Sequence, residues 1–346
     1  MILVIITDAW HPQVNGVVRT YEYLIAELER DGHEVHVISP ADFARRIPMP
    51  SYAEIELVAF SYKGLKEKID TMRPDFIHIS TEGPLGWAGR KYCLRHNSSF
   101  TTSYHTHFPD YAAKRFARFL PFLYRPIHGL TKGLIRRFHD PAKAIMVATQ
   151  SLEDDLAAWG FRPPMHRLTR GVDFELFSPG EKTLFQDLPQ PVALYVGRVA
   201  IEKNIEDFLS MEWKGSKVVI GNGPSLDDLK ARYPAVHFAG TVTGEALAAH
   251  YRSADVFVFP SRTDTFGMVL IEALACGLPI AAYDVTGPKD IVTEEYLGVL
   301  CNDDLGKAAR EALNAGSSEK RAQHVREHYS WQKAGEQFLN GIRTYY

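Results

Sequence analysis

ILVIITDAWHPQVNGVVRTYEYLIAELERDGHEVHVIS, residues Ile2–Ser39, contains an apolar run, an amphipathic stretch and a second apolar run. The run Ile2–Ile6 is followed by polar residues, which is typical of a buried parallel strand with a functional carboxyl end. The middle stretch has helical spacing and ends at an Asp-Gly pair, after which Val35–Ile38 forms the next strand. This order predicts a βαβ unit with Asn15-Gly16 at its first turn.

The same alternation continues along the chain and predicts two parallel sheets. In the first half, strands are predicted at Phe76–Ile79, Phe100–Tyr104 and Ala144–Ala148. In the second half, they are predicted at Val192–Val196, Lys217–Ile220, His237–Phe238, Val256–Phe259 and Ile280–Tyr283. Each of these five precedes a loop with Gly or Pro, and parallel sheets bind ligands beyond the carboxyl ends of their strands. We expect an α/β protein of two doubly wound domains.

Length and composition are those of a folded protein with a full-sized hydrophobic core. The chain has 346 residues, about twice a typical domain, and 45% of them are apolar. Its three cysteines lack a CxxC pair, which predicts buried thiols in a reducing compartment. Neither a basic leader nor an apolar run of about 18 residues is present, so we expect a cytoplasmic or peripheral protein.

The two halves differ in charge, although the whole chain carries only −3. Residues 1–170 contain 22 Lys and Arg against 18 Asp and Glu, and the remaining residues contain 17 against 24. The turn-rich segment Arg170–Gly180 lies at this change and is expected to act as a hinge. Opposite charges favour two domains with different partners.

The segment YVGRVAIEKN, Tyr195–Asn204, places two cations after a strand. The strand ends at Gly197, Arg198 follows it, and Lys203 lies five residues further on. Arg binds phosphate oxygens through two N–H groups and Lys adds a point charge, so this pattern suits a diphosphate. The alternative is a solvated basic turn paired with a nearby acid, Glu202 or Glu206.

The segment SRTDTFGMVLIEALACG, Ser261–Gly277, changes from a loop to an apolar helix near Thr265-Phe266-Gly267. The N–H groups of a helix start and a glycine without Cβ favour a bound anion. Asp264 lies just before the helix, and Glu272 lies about two turns inside it, where a carboxylate among aliphatic residues needs donors. The alternatives are an N-cap for Asp264 and an exposed polar position for Glu272.

The segment YHTHFPDY, Tyr104–Tyr111, follows an apolar strand and contains a His-x-His pair. His105 and His107 lack a third metal ligand at a suitable spacing, so no metal site is expected. We expect His105, at a strand end, to hydrogen-bond a substrate hydroxyl, whereas His107 is as readily structural as functional.

The first turn, HPQVNGVVR, is similar to a phosphate-binding turn but lacks the spacing GxGxxG. Ser39-Pro40 rather than an acid follows the second strand, and an acid there would hold the ribose of a dinucleotide. An NAD-dependent enzyme is therefore disfavoured.

The stretch Ala112–Lys143 contains eight Lys and Arg against one Asp, interleaved with aromatic and aliphatic residues. Basic amphipathic stretches with aromatic residues suit an anionic membrane surface. RNA is the rival partner, but no RNA-binding motif accompanies the stretch, and no nucleic acid is expected. A helical hairpin that only covers the sheet is the further alternative. The cations assigned to the membrane or acceptor side are Arg115, Arg118, Arg136 and Arg137.

Several motifs point to one known family: NGVVR, GRVAIEKN, GNGP and FAGTVTGEALAAHYRSADVFVFPSRTDTFGMVLIEALACG. Through them the chain resembles the retaining glycosyltransferases of family 4, which have the GT-B fold. The resemblance spans nearly the whole chain and is most specific over residues 192–290. SYHTHFPDY and STEGPLG resemble the branch with GDP-mannose-dependent α-mannosyltransferases and bacterial glycolipid glycosyltransferases.

The resemblance implies two Rossmann-like domains that face each other across a cleft. Residues 1–171 are implied to bind the acceptor and residues 172–330 the nucleotide sugar. The last helix, residues 331–346, is implied to cross back to the first domain.

Residue by residue, the resemblance implies roles for the candidates above. Arg198 and Lys203 neutralise the leaving diphosphate beside Gly197, and Gly16 approaches it from the other domain. Glu272 matches the second acid of the family's Glu-x7-Glu motif and holds the ribose hydroxyls. The N–H groups that meet the phosphate and sugar belong to Thr265, Phe266 and Gly267.

Three further residues complete the implied site. Asp264 stands at the first acid of the motif, one methylene shorter than the family's Glu, and binds hydroxyls of the sugar. His105 matches the acceptor-side histidine near the donor sugar. Val242 lies in the loop that packs near the base.

The implied reaction moves a hexosyl unit from a nucleotide diphosphate sugar, with UDP favoured, to a hydroxyl of a membrane lipid such as diacylglycerol. Retention without a protein nucleophile fits a front-face reaction, in which the departing phosphate oxygen helps to deprotonate the acceptor. The chain lacks Asp-x-Asp, so we expect transfer without metal or cofactor, at the inner face of the membrane. The alternatives are a GDP-mannose-dependent mannosyltransferase acting on a saccharide or lipid-linked acceptor, a nucleotide-sugar epimerase, and a non-catalytic nucleotide-binding module.

Overall fold

The computed structural model describes residues 1–13, 15–49, 52–59, 61–105, 122 and 124–345. The chain divides into two compact units. The first comprises Met1–Arg170 and Trp331–Tyr346, and the second comprises Gly171–Ser330. The boundary expected from the sequence lies one residue later, after residue 171.

The first unit is built on a parallel sheet of six strands in the order β2-β1-β5-β6-β7-β8. These strands are β1 Ile2–Ile6, β2 Glu34–Ile38, β5 Phe76–Ile79, β6 Thr101–Ser103, β7 Ile145–Val147 and β8 Met165–Arg167. A separate antiparallel pair consists of β3 Arg46–Met49 and β4 Tyr52–Val58. β1 is apolar throughout and almost fully buried because helices cover both faces of a parallel sheet.

Five described helices precede the hinge segment in this unit. They are α1 Gly16–Arg30, α2 Tyr62–Met72, α3 Pro84–His96, α4 Tyr124–His139 and α5 Gln150–Ala158. α1 shows how the apolar spacing produces a packed helix. One face of it is fully buried and consists of Val18, Tyr21, Leu24 and Leu28.

The second unit repeats this architecture with a parallel sheet in the order β11-β10-β9-β12-β13-β14. Its strands are β9 Val192–Val196, β10 Ser216–Ile220, β11 His237–Gly240, β12 Val256–Phe259, β13 Ile280–Tyr283 and β14 Gly298–Cys301. Its helices are α6 Ile205–Ser210, α7 Leu226–Arg232, α8 Gly244–Ser253, α9 Met268–Ala275, α10 Pro288–Ile291, α11 Leu305–Ala312 and α12 Ser318–His328.

The last helix, α13 Trp331–Tyr345, belongs to the first unit. Trp331 stacks on Tyr23 of α1 with ring centroids 4.7 Å apart. The backbone N–H and the hydroxyl of Thr169 both donate to Gln337 Oε1 at 2.8 Å. The predicted return of the terminal helix to the first domain is confirmed.

The predicted α/β class with two doubly wound sheets is also confirmed, but not every strand was predicted. β8 and β14 are the last strands in their sheets, and most of their residues are only half-buried. β8 contains one apolar residue in three, and β14 is a short run that begins with glycine, so neither was recognised from its local pattern. The β3–β4 pair was missed as well, because a proline within a short run argues against a strand, and Pro48 lies within β3.

Candidate active site

The second sheet reverses its strand order between β9 and β12. These strands are hydrogen-bonded neighbours, but the chain leaves them in opposite directions along the sheet. The loops after such a pair diverge and open a crevice beyond the carboxyl ends of the strands, where open parallel sheets bind ligands. Arg198 and Lys203 follow β9, and Asp264 follows β12. Three of the predicted residues therefore lie at the switch point of this sheet.

Glycines hold the loop after β9 against the loop after β10. The N–H of Gly197 donates to the carbonyl of Ile220 at 3.0 Å. Gly221 has a φ of +135°, and a Cβ on it would lie 1.9 Å from the carbonyl oxygen of Gly197. Only glycine fits such a close approach at this φ, so these two loops set the position of the Arg198 backbone.

The cation of one loop pairs with the acid of the other. Lys203 Nζ lies 2.5 Å from Asp264 Oδ1, and the two side chains are 29% and 21% exposed. Arg198 Nε stands 4.0 Å from Glu202 Oε1, at the outer limit of an ion pair. Glu206 pairs instead with Arg232, outside this loop. The alternative of a basic turn that pairs within its own loop thus applies to Arg198 and not to Lys203.

The helix after the second loop begins where the sequence indicated. α9 starts at Met268 with Gly267 as its N-cap, at a φ of +92°. Asp264 is therefore not the N-cap, which contradicts the alternative reading of that residue. A Cβ on Gly287, in the loop after β13, would lie 2.9 Å from the carbonyl oxygen of Asp264 and 3.2 Å from the nitrogen of Phe266. That loop packs closely against the turn before α9.

Glu272 is buried inside α9, with 4% of its surface exposed. The alternative of an exposed polar position is wrong. The hydroxyl of Tyr251 in α8 donates to Glu272 Oε2 at 2.9 Å, and Tyr251 itself is fully buried. A carboxylate in such a helix needs a donor, and Tyr251 is one that sequence reasoning did not identify.

The remaining candidates for donor contact lie in the same unit. Val242 is half-buried in the loop between β11 and α8. Thr265 and Phe266 are buried, and the Phe266 ring lies edge-on to Tyr329 with centroids 5.8 Å apart. Their contacts with a nucleotide sugar stay a prediction.

The first sheet has its own switch point, between β1 and β5. α1 begins there, and Asn15 Oδ1 accepts from the N–H groups of Val17 and Val18 at 2.9 and 3.1 Å. The Asn15 side chain thus already satisfies donors that a phosphate would use at a helix start. Gly16, for which a diphosphate contact was predicted, is the first residue of α1 and is exposed.

Asp8, just after β1, was not among the predicted site residues. It is buried and accepts from the N–H groups of Leu85 and Gly86 at 2.8 and 3.1 Å, and from the Thr81 hydroxyl at 3.1 Å. A carboxylate at the start of α3 is also favoured by the helix dipole. Burial nevertheless raises the pKa of Asp8 to about 6, against the effect of these hydrogen bonds.

His105 lies just after β6 and takes part in a buried polar network. Arg170 Nη2 donates to His105 Nδ1 at 3.0 Å, and His105 Nε2 lies 3.3 Å from the hydroxyl of Tyr21. That hydroxyl is 2.8 Å from His78 Nε2 and donates to Ser103 Oγ at 2.9 Å. Tyr21, His78 and Arg170 are buried and surround the histidine that the sequence singled out.

This network keeps its histidines neutral. Burial lowers the pKa of His78 to about 3. Burial also lowers the pKa of His105 well below its usual value, and the charge of Arg170 acts in the same direction. Both imidazoles are therefore uncharged at neutral pH.

Two of the predicted membrane-side cations, Arg136 and Arg137, lie on α4 of the first unit. Arg137 is exposed and Arg136 half-buried, and with Arg90 of α3 they line a cavity of about 420 Å³. Arg90 donates to the carbonyls of Arg137 and Phe138 at 2.8 and 3.0 Å. Leu130 and Leu134 of α4 are 76% and 47% exposed beside this basic surface. Arg115, Arg118 and His107 lie outside the described residues.

Two further findings concern membrane spans and metal sites among the described residues. Within the described ranges, no helix combines the length and apolarity that crossing a bilayer requires. Among the same residues, no group of three or more His, Cys, Asp or Glu side chains is arranged to hold a metal ion.

Two sequence families match successive parts of the chain. Residues 14–176 match the family described as Glycosyltransferase Family 4. Residues 181–331 match the family described as Glycosyl transferases group 1. The change from one match to the other falls near the boundary between the two compact units.

Named relatives cover most of the chain. The GDP-mannose-dependent alpha-mannosyltransferase of Mycolicibacterium smegmatis is 30% identical over 88% of this chain and 85% of its own length. The alpha-monoglucosyldiacylglycerol synthase of Streptococcus pneumoniae is 27% identical over 89% of this chain and 77% of its own. The crystal structure of Anabaena Alr3699/HepE in complex with UDP-glucose has a TM-score of 0.73 at 14% identity, over 99% of this chain and 100% of that one. At that identity the likeness shows the fold, the two Rossmann-like domains of a GT-B protein.

Proposed function

The chain belongs to glycosyltransferase family 4, and from that premise we propose that it transfers a hexosyl unit from a UDP-sugar to a hydroxyl of a membrane lipid such as diacylglycerol. The observation that carries the proposal is the switch point of the second sheet. Two cations, a partly exposed carboxylate and a helix start with a buried glutamate come together there. These are the groups that a diphosphate, a sugar and a ribose require.

Each part of the donor has a partner in this unit. Arg198 and Lys203 bind the diphosphate through charged hydrogen bonds, and the N–H groups at the start of α9 add to them. Glu272 accepts from the ribose hydroxyls while Tyr251 holds one of its oxygens. Asp264 accepts from hydroxyls of the sugar.

Donor binding rearranges one contact. The Lys203–Asp264 pair is partly exposed, and such pairs contribute only about 0.2–1 kcal/mol. A diphosphate therefore competes for Lys203 at little cost, and the released Asp264 carboxylate becomes available to the sugar. The pair thus keeps both side chains in place until the donor arrives.

The transfer step needs no nucleophile from the protein. The bond between the sugar's anomeric carbon and the diphosphate oxygen breaks, and a bond from the acceptor oxygen forms on the same face. The acceptor's proton passes to the departing phosphate oxygen. Arg198, Lys203 and the start of α9 stabilise the charge that develops on that group. The configuration at the anomeric carbon is retained, which is consistent with family 4.

The lipid acceptor is proposed from the surface of α4 and from one relative. Arg136, Arg137 and Arg90 form a basic surface, and the exposed side chains of Leu130 and Leu134 stand beside it. Cations attract anionic lipid headgroups, and exposed leucines enter the interface. The Streptococcus relative is named for a glucosyldiacylglycerol product. The protein would then act at the inner face of the membrane, bound peripherally.

A second candidate has support from the other relative. The Mycolicibacterium protein is named as a GDP-mannose-dependent alpha-mannosyltransferase and is the more identical of the two. A mannosyl transfer to a saccharide or lipid-linked acceptor would use the same diphosphate and ribose contacts. UDP remains the first donor to test, and the Anabaena structure, which holds UDP-glucose, shows that a protein of this fold binds a UDP-sugar.

A donor and acceptor matrix tests the two candidates together. The protein is incubated with UDP-glucose, UDP-galactose or GDP-mannose, each with anionic vesicles that contain diacylglycerol or with a soluble oligosaccharide. We expect an α-linked glycolipid from a UDP-sugar. Transfer from GDP-mannose alone would replace the first candidate with the second, and a β-linked product would contradict the retaining step.

Membrane attachment is tested separately from turnover. The double variant Arg136→Gln/Arg137→Gln is expected to lose most of its binding to anionic vesicles in co-sedimentation. The matched control is Lys63→Gln/Arg73→Gln, which removes two exposed cations of the same unit near α2. Equal loss in both pairs would mean a general charge effect and would remove α4 from the proposal.

We also propose that transfer needs no metal ion. The charge on the leaving diphosphate is then met by Arg198, Lys203 and the α9 start alone. Turnover is expected to be unchanged by EDTA and by added manganese. Activity that disappears with EDTA and returns with manganese would overturn this part of the proposal.

A further inference from the structure

Arg170, the last residue of the first unit before the chain enters the second, is anchored on its own backbone. Its Nη1 donates to the carbonyls of Leu168 and Thr169 at 2.6 and 3.2 Å, and only 5% of its surface is exposed. The guanidinium is thus held in one orientation. Its Nη2 then points at His105 Nδ1, at 3.0 Å.

That contact determines where the proton of His105 lies. A guanidinium has only donors, so Nδ1 must offer its lone pair, and a neutral imidazole then carries its proton on Nε2. We propose that Arg170 is a positioning residue that holds His105 as the Nε2–H tautomer, so that His105 serves the reaction as a hydrogen-bond donor and not as a base. The role in the reaction rests on the proposed function; the tautomer does not.

The other side of the ring agrees with this assignment. His105 Nε2 lies 3.3 Å from the Tyr21 hydroxyl, which donates its own proton to Ser103 Oγ at 2.9 Å. The Tyr21 oxygen therefore presents a lone pair to His105. An Nε2–H group fits that lone pair, whereas a bare Nε2 would face it.

The charged surroundings also disfavour a protonated His105. Arg170 faces Nδ1, and the positive form of His78 or His139 would act in the same direction as Arg170 on the pKa of His105. The acid that faces this group of cations is Glu82, whose carboxylate contacts His139 Nε2 at 3.1 Å and not His105. Burial lowers the pKa of Arg170 to about 10, which still leaves the guanidinium charged at neutral pH.

A fixed donor limits what His105 does in the transfer. Its Nδ1 lone pair is occupied by Arg170, so this atom does not remove the acceptor's proton. Its Nε2–H exchanges the long contact with Tyr21 for a shorter one to a substrate oxygen. The proton of the acceptor remains assigned to the departing phosphate, as in the proposed step.

The tautomer is measured in the free protein, without substrate. Two-bond nitrogen–proton correlation spectra of the histidine-labelled chain distinguish a protonated ring nitrogen from a bare one. His105→Gln identifies the signals of His105 by their disappearance. We expect a bare Nδ1 and a protonated Nε2 throughout the range from about pH 5 to pH 8, where ordinary histidines titrate.

Variants at residue 170 test the cause. Arg170→Met keeps a long side chain without a donor, and we expect it to give a mixture of the two His105 tautomers. Arg170→Lys restores one donor and is expected to restore the bare Nδ1. Arg167→Met is the matched control: Arg167 is half-buried, three residues upstream, and bound to Gln150 and Glu153.

Turnover of two His105 variants provides a kinetic test that does not depend on the spectra. The amide of Gln reaches the place of Nε2 and that of Asn the place of Nδ1. We therefore expect kcat/KM to be lower in His105→Asn than in His105→Gln by about an order of magnitude, as a lost hydrogen bond implies.

Three results would overturn the proposal. A protonated Nδ1 in the wild-type spectrum would refute the tautomer, even if the Arg170 variants fail to fold. A spectrum of Arg170→Met identical to that of the wild type would refute the role of Arg170. Asn that substitutes as well as Gln would refute the donor role. If the protein transfers no sugar, the first two readouts are unaffected, so failure of the proposed function stays distinguishable.

Discussion

At the scale of single residues, a variant of the Lys203–Asp264 pair distinguishes how Lys203 binds the diphosphate from how Asp264 binds the sugar. Asp264→Asn removes the charge that competes for Lys203. We expect affinity for the free nucleoside diphosphate to rise about threefold to fivefold, since a partly exposed pair is worth up to about 1 kcal/mol. Turnover is expected to fall about tenfold or more, because the amide offers the sugar hydroxyls one neutral acceptor oxygen in place of a carboxylate with two. Calorimetric titration and initial rates measure the two effects.

The control for this variant is Asp284→Asn, an exposed carboxylate just after β13 in the same unit. It is expected to change neither quantity. If Asp264→Asn weakens binding of the free diphosphate, the pair does not restrain Lys203 and the assigned exchange of partners is wrong.

A second prediction at this scale concerns the buried contact of Glu272. Tyr251→Phe removes the hydroxyl 2.9 Å from Glu272 Oε2 and leaves the ring in place. A hydrogen bond to a charged group is worth about 1.5–3 kcal/mol, so we expect unfolding free energy to fall by that amount. We also expect the KM for the nucleotide sugar to rise, because Glu272 loses the contact that orients it. Denaturant unfolding and initial rates check these outcomes.

Tyr233→Phe is the matched control, since Tyr233 is a half-buried tyrosine of the same unit that follows α7. It should leave the KM unchanged. A Tyr251→Phe protein with wild-type KM would show that Tyr251 supports the fold without orienting Glu272.

The residue scale also shows the limit of sequence reasoning. Glu272 could be selected because a lone acid stands among aliphatic residues within one short segment. Its donor Tyr251 could not, because 21 residues separate the two and nothing local marks the tyrosine. The partners of His105 are further away still: Arg170 is 65 residues distant and Tyr21 is 84. Such pairs are set by sheet order, which a local pattern does not contain.

At the scale of secondary-structure elements, Asp8 joins the end of β1 to the start of α3. Its pKa is raised from 3.8 to about 6, chiefly by burial. The folded protein therefore binds this proton more tightly than the unfolded chain does. The corresponding stability is present at low pH and is lost as the pH rises from about 4 through about 6.

The size of this effect follows from the shift. A difference of about two pKa units corresponds to about 3 kcal/mol. We expect Asp8→Asn, which cannot ionise, to lose that part of the pH dependence of stability. The measurement is the midpoint of thermal unfolding, followed by calorimetry between about pH 4 and pH 7.

The control is Asp154→Asn, an exposed carboxylate of α5 in the same unit. It should follow the wild-type profile. An Asp8→Asn profile parallel to that of the wild type over this range would mean that Asp8 ionises in the folded state as easily as in the unfolded chain.

Central strands were predicted from the sequence more completely than the last strand of each sheet, for a physical reason. The central strands of both sheets could be located because burial on both faces demands an unbroken apolar run, as in Val192–Val196 and Val256–Phe259. β8 and β14 were missed because Met165–Arg167 contains only one apolar residue and Gly298–Cys301 is a short run that begins with glycine. The start of α9 was predicted near Thr265-Phe266-Gly267, and the structure has Gly267 as the N-cap at a positive φ.

At the scale of the whole molecule, the chain leaves the first unit at Arg170 and returns to it at Trp331. The two halves were separable in the sequence because their charges differ and because a turn-rich segment lies between them. The return of α13 was predicted from the family resemblance, not from any pattern in residues 331–346. Its anchors, Tyr23 and Thr169, lie far upstream in the chain.

This path predicts that a change in the last helix destabilises the first unit selectively. Phe338 is fully buried, and its ring lies edge-on to His78 with centroids 5.0 Å apart. Phe338→Ala is expected to cost about 3–5 kcal/mol through lost burial and the cavity left behind. Because the lost contacts are in the first unit, hydrogen exchange should accelerate in β1 and β5, while amides of β9 and β12 keep their protection.

Asn340→Ala, at an exposed position of the same helix, is the control and should leave exchange in both sheets unchanged. Equal acceleration in the two sheets of Phe338→Ala would show that the units unfold as one cooperative body. Acceleration confined to the first sheet would instead show that a helix encoded after the second unit stabilises only the first. The His78 side of the polar network would then loosen together with β5, so the spectrum of His105 should change in the same variant.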